Sequence, residues 1–428
     1  MHLKDLYLVY LEYPQISTDS RKIIQDSIFF ALKGDSFDGN KYALSALEQG
    51  AAFVIIDNEK YYVDNGKYIL VENTLSTLQQ LAIYHRQNLN IPFIGITGTN
   101  GKTTTKELIN AVLSQKYNTL ATTGNLNNHI GVPLTLLSIT NDKEIAIIEM
   151  GANHVGEIGE LCTISQPDYG IISNIGKAHL EGFGGFEGVI KAKNDLYNYI
   201  RDRSGKIFLN TSNELLINLS KGIDKITYGI DDTDFCKGSI ISNDIYLEIS
   251  YQYQNKNYFV KTNLVGNYNF ENVLAAICVG LYFNVEHDQI RKALESYMPS
   301  NSRSQIMKTD KNTIILDAYN ANPTSLEFAI NNFAKLETEN KMLIIGDMLE
   351  LGIYSIDEHQ HIIDVINKNN FNKVILIGKD FSKVNKEYIC FNTSEEAREW
   401  LILNPIINST ILVKGSRGIK LEKILDAL

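Results

Sequence analysis

The sequence predicts an α/β protein with three domains. Its 428 residues are enough for about three hydrophobic cores of ordinary domain size. Short apolar segments alternate with helical patterns along almost the whole chain, as expected for sheets that are covered by helices. Proline interrupts this alternation at Pro92 and again at Pro299. We therefore predict domains at residues 1–90, 91–299 and 300–428.

The composition excludes several classes of protein. The net charge is −10, from 50 acidic and 40 basic residues, whereas broad nucleic-acid binding requires a cationic surface. The four cysteines form no C-x-x-C motif, so we expect buried or partly buried thiols and neither a zinc site nor disulfides. No segment resembles a signal peptide or approaches ~18 consecutive apolar residues. We expect a cytoplasmic monomer without nucleic-acid or membrane partners.

The first domain is predicted as a small α/β unit, because its apolar segments are short and are separated by amphipathic helices. The predicted strands are Ile28–Leu32, Phe53–Ile56 and Tyr68–Val71. The predicted helices are Tyr42–Gln49 and Leu75–Gln87. Since proline disfavours a helical conformation in the preceding residue, the second helix ends before Pro92 and the next domain begins with a strand at Phe93.

The second domain repeats an apolar strand, a glycine-containing turn and a helix. This order is typical of a parallel sheet covered by helices, and its strands include Ile145–Ile148 and Tyr169–Ser173. Between about Lys206 and Lys261 the pattern changes to alternation of apolar and polar residues, as in Ile245-Tyr246-Leu247-Glu248-Ile249. We expect an antiparallel sheet that is added to the domain over this range.

The third domain is predicted as a Rossmann-like α/β domain with a largely parallel sheet. Its predicted strands are Thr313–Leu316, Met342–Ile345, Val374–Ile377 and Thr410–Val413. One helix begins with a capping box at Thr324-Ser325-Leu326-Glu327, and a stripe of apolar residues predicts that it packs on the core: Leu326, Ala329, Ile330, Phe333 and Leu336. His359 and His361 lie two positions apart on a helix, so we expect surface residues and no metal pair.

A glycine-rich loop between a strand and a helix is the strongest chemical signal. The segment is Ile94-Gly95-Ile96-Thr97-Gly98-Thr99-Asn100-Gly101-Lys102-Thr103-Thr104, and a helix is predicted over Thr105–Ser114. In such a loop the backbone N–H groups and the helix N-terminus bind phosphate oxygens. Lys102 neutralises phosphate charge, and Thr103 offers its hydroxyl to Mg²⁺. Ile96 stands at the first glycine of the general G-x-x-x-x-G-K-T loop. The loop predicts a P-loop domain that binds a nucleoside triphosphate.

Two further side chains follow strands of the same predicted sheet. Glu149 ends one strand, and His179 follows Tyr169–Ser173 in the segment Asn174-Ile175-Gly176-Lys177-Ala178-His179. Because the carboxyl ends of parallel strands meet at the ligand edge of a sheet, Glu149 is placed to hold a metal ion on the nucleotide. His179 lies at the same edge, although a lone histidine is more often structural.

Together these motifs resemble those of the Mur ligase family. The resemblance rests first on Gly98-Thr99-Asn100-Gly101-Lys102-Thr103-Thr104, on Glu149, on His179 and on the three-part layout. Four further segments support it: Gly124-Asn125-Leu126-Asn127-Asn128-His129-Ile130-Gly131-Val132-Pro133-Leu134-Thr135, Glu149-Met150-Gly151-Ala152-Asn153-His154, Asp317-Ala318-Tyr319-Asn320-Ala321-Asn322-Pro323 and Gly346-Asp347-Met348-Leu349-Glu350-Leu351-Gly352. The resemblance covers essentially the whole chain.

The resemblance implies roles for the residues at matching positions. Thr103 and Glu149 would hold one Mg²⁺ ion, and His179 would help to hold a second. Lys193 matches a family lysine that is carbamylated by CO₂. The resemblance implies that the new carboxylate would act on the metal ions. The implied catalytic residues are Lys102, Glu149, His179, Lys193 and Arg303.

The same matching implies how the substrates are held. Asn269 and Asn272 would read the adenine of ATP, Arg303 would reach its phosphate and Asp317 its ribose. Tyr268 stands where the family commonly has histidine. The implied residues for the other substrates are Ser20, Arg21, Asn125, Asn127, Asn128, Asn153, His154, Asn320, Asn322 and Lys414.

The activity implied by the resemblance is an ATP-dependent ligation through an acyl phosphate, which joins D-alanyl-D-alanine to UDP-N-acetylmuramoyl-tripeptide. A family member that adds one amino acid, lysine or diaminopimelate, to the UDP-muramoyl-dipeptide is the first alternative. A P-loop nucleotide switch is the second, although no Asn-Lys-x-Asp motif follows a strand. Turnover distinguishes these classes, because a ligase hydrolyses little ATP until both peptide substrates are present.

Overall fold

The computed structural model describes residues 2–242, 245–299, 303 and 305–428. In these residues, sheets of four, nine and six strands follow one another along the chain, beside one two-stranded hairpin. The predicted domain boundary at Ser300-Asn301-Ser302 lies outside the described residues. None of the described helices is both long and apolar enough to cross a membrane. The four cysteines are free thiols, and three are buried while Cys390 is partly exposed, as expected.

Residues 2–90 form a parallel sheet with helices packed against it. The helices are α1 (Leu3–Glu12), α2 (Ala43–Glu48) and α3 (Thr74–Asn88). The strands are β1 (Ile16–Ser17), β2 (Ile28–Phe30), β3 (Lys33–Gly34), β4 (Phe37–Asp38), β5 (Phe53–Ile56) and β6 (Tyr68–Leu70). The sheet order is β1-β2-β5-β6 with parallel pairs, and β3 and β4 form the separate hairpin. The three predicted strands are therefore confirmed.

Helix α3 fixes this first sheet against the central one. His85 on α3 is buried, and its Nε2 lies 2.8 Å from the carbonyl oxygen of Ile139. Arg86, the next residue, is also buried and donates to the carbonyl oxygens of Ser165 and Gln166 at 3.1 and 2.8 Å. Because buried polar groups require partners, these bonds hold α3 in one position on the central domain.

The central region forms the nine-stranded sheet of the described chain, in the order β15-β14-β13-β12-β11-β10-β7-β9-β8. Its strands are β7 (Phe93–Thr97), β8 (Thr119–Ala121), β9 (Ile145–Glu149), β10 (Tyr169–Ile172), β11 (Lys206–Asn210), β12 (Asp224–Gly229), β13 (Cys236–Ser242), β14 (Glu248–Tyr253) and β15 (Lys256–Lys261). Its helices are α4 (Lys102–Leu113), α5 (Gly131–Leu137), α6 (Glu157–Ser165), α7 (Leu180–Phe183), α8 (Phe186–Asp202), α9 (Glu214–Leu219), α10 (Phe270–Tyr282) and α11 (His287–Ser296).

The predicted antiparallel sheet over Lys206–Lys261 is wrong in its extent. β11 pairs parallel with β10, and β12 pairs parallel with β11. Among the described strands of this sheet, antiparallel pairing is confined to β13 with β14 and β14 with β15. These antiparallel strands continue the same sheet and do not form a second one. β11 is buried from Ile207 to Asn210, which is typical of a parallel strand covered on both faces.

The third region forms a six-stranded sheet in the described residues, in the order β16-β17-β21-β18-β19-β20. Its strands are β16 (Gln305–Lys308), β17 (Asn312–Asp317), β18 (Lys341–Gly346), β19 (Lys373–Ile377), β20 (Ile389–Phe391) and β21 (Ser409–Lys414). Its helices are α12 (Pro323–Lys335), α13 (Ser355–Asn367), α14 (Lys379–Val384) and α15 (Ser394–Leu403). β16 pairs antiparallel with β17, and the other pairs are parallel. The predicted largely parallel sheet is confirmed.

Helix α12 begins earlier than the predicted capping box. Its N-cap is Asn322, whose Oδ1 accepts the N–H of Ser325 at 2.9 Å, and Pro323 occupies the first turn. The hydroxyl of Ser325 accepts the N–H of Asn322 in return. The predicted apolar stripe from Leu326 to Leu336 is buried, as expected for a core-facing helix.

The expectation that His359 is a surface residue is wrong. His359 is completely buried, and its Nε2 accepts the N–H of Met348 at 3.1 Å. Possible metal-ligand atoms of Asp347, His359 and Asp380 lie within 4.8 Å of one another. The Asp347 carboxylate, however, already accepts the N–H groups of Asp380 and Phe381 at 2.8 and 2.9 Å. This cluster joins the end of β18 to α13 and α14.

Candidate active site

A cavity of about 1040 Å³ lies between the central and third sheets. Many residues selected from the sequence line it: Thr99, Asn100, Gly101, Lys102, Thr103, Thr104, Asn125, Asn127, Asn128, Glu149, Asn153, His179, Asn269, Asn272, Arg303, Asp317, Asn320, Asn322 and Lys414. The selected residues outside its lining are Gly98, His154, Lys193, Ser20 and Arg21. The cavity therefore brings together strand ends of two sheets that are far apart in sequence.

Two glycines give the phosphate loop its shape. Gly98 has φ of +144°, and a Cβ there would lie 2.1 Å from Ser173 Oγ. Gly101 has φ of +76°, and a Cβ there would lie 2.6 Å from Asn272 Oδ1. Helix α4 begins directly after Gly101, before the predicted start at Thr105, so its first N–H groups and the positive end of its dipole face the loop. This arrangement is typical of a loop that binds phosphate.

Lys102 lies over the phosphate loop. Its Nζ donates to the carbonyl oxygens of Gly98 and Thr99 at 2.7 and 3.0 Å. Burial lowers the pKa of Lys102 to about 8, while the Glu149 carboxylate opposes this shift and the positive charge of Arg303 adds to it. A bound phosphate would favour the protonated ammonium, because an opposite charge stabilises the charged form.

The two carboxylate oxygens of Glu149 differ in their partners. The side chain is buried, and its Oε1 accepts hydrogen bonds from Thr103 Oγ1 at 3.2 Å and from Asn127 Nδ2 at 2.9 Å. Oε2 accepts no hydrogen bond from the described residues, and the Nζ of Lys106 lies 3.5 Å away. Mg²⁺ prefers carboxylate and hydroxyl oxygens as ligands. The Glu149–Thr103 pair therefore fits a magnesium site.

His179 connects the central domain to the third domain. It follows β10 with φ of +50°, which is uncommon for a residue with a side chain. Its Nδ1 contacts the carboxylate of Glu350, which lies beyond the end of β18. The imidazole therefore lies at the ligand edge of the central sheet, beside an acidic residue of the opposite domain.

Lys193 is buried on α8 and does not line the cavity. The side chain is 2% exposed, and its Nζ is 5.3 Å from the centre of the Phe183 ring. Burial lowers the pKa of Lys193 well below the ordinary value for lysine, the positive charge of Lys102 adds to this shift, and Glu157 opposes it. These surroundings favour a neutral amine.

Arginines of the third domain give the cavity a cationic wall. The guanidinium of Arg303 lies 3.8 Å from the centre of the Tyr319 ring, and that of Arg417 lies 5.5 Å from the same ring. The buried Nε of Arg303 donates no hydrogen bond to any described residue. A guanidinium of this kind suits a phosphate, since its planar fork can donate two parallel hydrogen bonds.

Asp317 and Lys414 form an ion pair at the adjoining strand ends. They are register partners on β17 and β21, and Lys414 Nζ donates to Asp317 Oδ2 at 2.6 Å. The same Nζ lies 3.4 Å from the carbonyl oxygen of Asn320. Asp317, predicted to bind the ribose of ATP, and Lys414, predicted to bind one of the other substrates, are therefore direct neighbours.

The two asparagines assigned to adenine are buried near the start of α10. Asn269 Nδ2 donates to the Val265 carbonyl oxygen at 2.8 Å, and Asn272 Nδ2 donates to Asn269 Oδ1 at 3.0 Å. Thr105 on α4 donates to Asn272 Oδ1 at 3.0 Å. Each amide group has two N–H donors, so one N–H of each residue is not used in these bonds.

Several predicted substrate residues already have local partners. Asn128 Oδ1 accepts the N–H groups of Ile130 and Gly131 at the start of α5. His154 is exposed and pairs with Glu157 at 3.1 Å. Arg21 lies on the surface of the first domain and pairs with Asp19 at 2.8 Å. Their roles in substrate binding stay predictions.

Three family models match the chain in succession. Residues 12–97 match the Mur ligase family, catalytic domain; residues 96–280 match the Mur ligase middle domain; and residues 302–417 match the Mur ligase, glutamate ligase domain. The chain belongs to the Mur ligase family. The middle-domain match contains the phosphate loop, Glu149 and His179, while the last match contains Arg303, Asp317 and Lys414.

Similar Mur ligases extend over nearly the full length of the chain. A UDP-N-acetylmuramoyl-tripeptide–D-alanyl-D-alanine ligase of Bacillus subtilis is 35% identical over 426 residues, covering 96% of this chain and 92% of the relative. The ligase of the same name from Escherichia coli is 31% identical over 424 residues, covering 96% and 93%. A crystal structure of MurF from Acinetobacter baumannii superposes with a TM-score of 0.87 at 29% identity, covering 96% and 92%.

Three further residues of this Mur ligase lie in the site and were not predicted from its sequence. Tyr319 and Glu350 lie inside motifs that support the family resemblance, yet nothing in the sequence indicates that they contact Arg303 and His179. Lys106, one helical turn after Lys102, pairs with Glu149. A lysine in a helix is ordinarily solvated. The signal for Lys106 in the sequence was its position four residues after Lys102, which places both lysines on the same face of the helix.

Proposed function

We propose that this Mur ligase uses ATP to join D-alanyl-D-alanine to UDP-N-acetylmuramoyl-tripeptide, a step of peptidoglycan precursor synthesis. The observation that carries the proposal is that the phosphate loop faces the third-domain strand ends across one cavity. Relatives named for this ligation match 96% of the chain, which supports the choice of substrates. Since the reaction consumes ATP, we place it in the cytoplasm.

The proposed reaction has two chemical steps. The terminal carboxylate of the tripeptide attacks the γ-phosphorus of ATP, so that an acyl phosphate forms and ADP leaves. The amine of D-alanyl-D-alanine then attacks the acyl carbon, the amine loses a proton, and inorganic phosphate leaves the tetrahedral intermediate. Phosphoryl transfer requires positioning and charge stabilisation from the protein more than covalent catalysis. Lys102 and Arg303 supply positive charge from the central and third domains.

Thr103 and Glu149 would hold the Mg²⁺ ion of the nucleotide. Oε2 of Glu149, which accepts no hydrogen bond from the described residues, and the hydroxyl of Thr103 are oxygen ligands of the kind that this ion takes. His179 would contribute to a second ion. When bound, the ions neutralise charge on the transferring phosphoryl group.

Lys193 is proposed to carry a carbamate. Carbamylation requires a neutral amine that attacks CO₂, and burial at this position favours that form. The modification would replace a buried amine by a carboxylate, which would supply negative charge to the proposed metal ions.

The third-domain edge is proposed to bind D-alanyl-D-alanine. Asn320, Asn322 and Lys414 follow or end strands at this edge, and all three line the cavity. A site shaped for a dipeptide has a protein polar group that pairs with the carboxylate of the second residue. A single amino acid is too short to reach this group, which then stays unpaired. Such an unpaired polar group can cost a factor of ~10⁴ in specificity.

A panel of amines tests the proposed function. With UDP-muramoyl-tripeptide, ATP and Mg²⁺, phosphate release should be rapid with D-alanyl-D-alanine. It should be scarcely measurable with lysine, diaminopimelate, D-glutamate or D-alanine alone. If UDP-muramoyl-dipeptide with a free diamino acid is the better pair, the chain is a Mur ligase with a different acceptor.

A further inference from the structure

The loop between β10 and α7 contacts the phosphate loop on one side. The N–H of Thr99 donates to the Asn174 carbonyl oxygen at 2.9 Å, and the N–H of Asn100 donates to Asn174 Oδ1 at 2.9 Å. The N–H of Gly176 donates to Thr99 Oγ1 at 3.0 Å. The position of this loop is therefore coupled to the residues proposed to hold the nucleotide.

The other side of the loop contacts the third domain. The N–H of Lys177 donates to Thr324 Oγ1 on α12 at 3.0 Å, and Lys177 Nζ donates to Glu358 Oε1 on α13 at 2.6 Å. A Cβ at Gly176 would lie 2.9 Å from Thr324 Oγ1, so the two surfaces are in close contact. A single loop thus lies between the phosphate site and two helices of the opposite domain.

Glu358 is the enclosed partner of this ion pair. The side chain of Glu358 is 9% exposed, whereas that of Lys177 is 50% exposed. Oε2 of Glu358 accepts no hydrogen bond in the described part of the chain. A carboxylate in such surroundings needs a nearby cation, and removing one partner of an enclosed pair leaves the other charge uncompensated.

We propose that Lys177 and Glu358 are positioning residues that couple the filled phosphate loop to closure of the third domain. Neither residue lines the cavity, so the pair acts through the placement of Arg303, Lys414 and their neighbours and not by contact with the reacting atoms. The catalytic consequence rests on the proposed ligation, while the effect on closure does not.

A double-mutant cycle tests this coupling in the full-length protein. Lys177→Met and Glu358→Gln should each lower kcat about tenfold, with little change in the KM for ATP. A tenfold effect lies in the range expected when the coupling free energy between two sites is lost. The combined variant should lose no more than either single variant, because the two side chains act through one contact. Exchanging the charges, with Lys177→Glu and Glu358→Lys together, should recover part of the lost kcat.

Small-angle scattering supplies a readout that does not depend on ligation. Wild-type protein with a non-hydrolysable ATP analogue and Mg²⁺ should have a smaller radius of gyration than either single variant under the same conditions. Lys237→Met is the matched control, because Lys237 pairs with Asp232 inside the central domain at 2.5 Å. It should change neither kcat nor the scattering.

The outcomes separate the two proposals. Additive losses in the combined variant, or single variants that close and turn over like wild type, would overturn the role of this pair. If wild-type protein does not ligate D-alanyl-D-alanine, the proposed function fails, and the scattering experiment still decides whether Lys177 and Glu358 control closure.

Discussion

Glu149 shows how the residues around one carboxylate prepare it for a cation. Thr103 and Asn127 hold Oε1 through hydrogen bonds, which leaves Oε2 for another partner. Lys106 lies near Oε2 and supplies positive charge to the buried acid.

Glu149→Gln should abolish most of the activity while the protein stays folded. The neutral amide keeps an oxygen that can accept from Thr103 and Asn127 but loses the charge that is proposed to hold Mg²⁺. We expect a loss of about 3 kcal/mol of transition-state stabilisation, or about a hundredfold in kcat. Steady-state phosphate release measures this effect, and the melting temperature reports folding. Glu144→Gln, just before the same strand, is the control and should be near normal; equal turnover in both variants would remove Glu149 from the metal site.

Lys193→Ala should be nearly inactive and should regain some activity with small carboxylates such as acetate or formate. The missing group is proposed to be a carbamate, so a free carboxylate can substitute for part of it and an amine cannot. Turnover with increasing concentrations of each additive is the measurement. Lys191→Ala, an exposed position on the same helix, should need no rescue. Rescue by methylamine and not by carboxylates would contradict the carbamate.

At the residue scale, the sequence predicted the members of the site better than their contacts. The phosphate loop could be derived from its own spacing, because strand, glycines, lysine and helix adjoin in the chain. His359 could have been placed correctly as well, since Ile362, Ile363 and Ile366 lie on its face of α13 and all are buried. The contact of His179 with Glu350 could not be predicted from the sequence, because it joins residues from different domains.

At the scale of the elements, helix α3 attaches the first sheet to the central domain. It belongs to the first region of the chain, yet His85 and Arg86 have bonding partners in the central domain. The neutral imidazole of His85 is part of that docking surface. Burial lowers the pKa of His85, and the hydrogen bond with the Ile139 carbonyl opposes the shift.

Stability should therefore fall as the pH decreases below about 6.5, the ordinary pKa of histidine. Between the lowered pKa of His85 in the folded protein and the ordinary value, the unfolded chain binds more protons, so acid favours unfolding. His85→Gln, which can still donate to Ile139, should have a smaller fall in melting temperature between pH 7.5 and pH 5.5 than wild type. Burial also lowers the pKa of His287, so part of the fall in melting temperature should remain in the His85 variant. The exposed His2→Gln should match wild type, and a His85 variant with an unchanged fall would exclude this role.

The element boundaries show where sequence patterns were sufficient. Long apolar segments such as β7 and β9 and the stripe of α12 were predicted correctly, because both depend on local periodicity. The range Lys206–Lys261 was assigned to antiparallel pairing from the alternation near Ile245. The continuous burial of β11 requires cover on both faces, and its apolar run Ile207-Phe208-Leu209 was the signal for a parallel strand.

At the scale of the whole molecule, the active site is an interface between two domains. Asn322 Nδ2 of the third domain donates to Asn100 Oδ1 of the phosphate loop at 2.8 Å, close to the contacts of Lys177. Asn322 also caps α12, so a change in the position of this helix reaches the loop directly. The sequence could predict three domains and a site at the strand ends, but the arrangement of the domains depends on contacts between residues more than 140 positions apart.

ATP turnover by the whole enzyme should depend on both peptide substrates. A cavity closed by the third domain keeps water from the acyl phosphate, so the intermediate persists until an amine arrives. Phosphate release should therefore be slow with ATP and Mg²⁺ alone, remain slow when UDP-muramoyl-tripeptide is added, and become rapid only after D-alanyl-D-alanine is also present. Lys102→Ala should release almost no phosphate in any of the three mixtures, and this variant controls for contaminating phosphatases. Rapid hydrolysis that is indifferent to both peptides would instead favour a nucleotide switch, because a switch hydrolyses its nucleotide without consuming an acceptor.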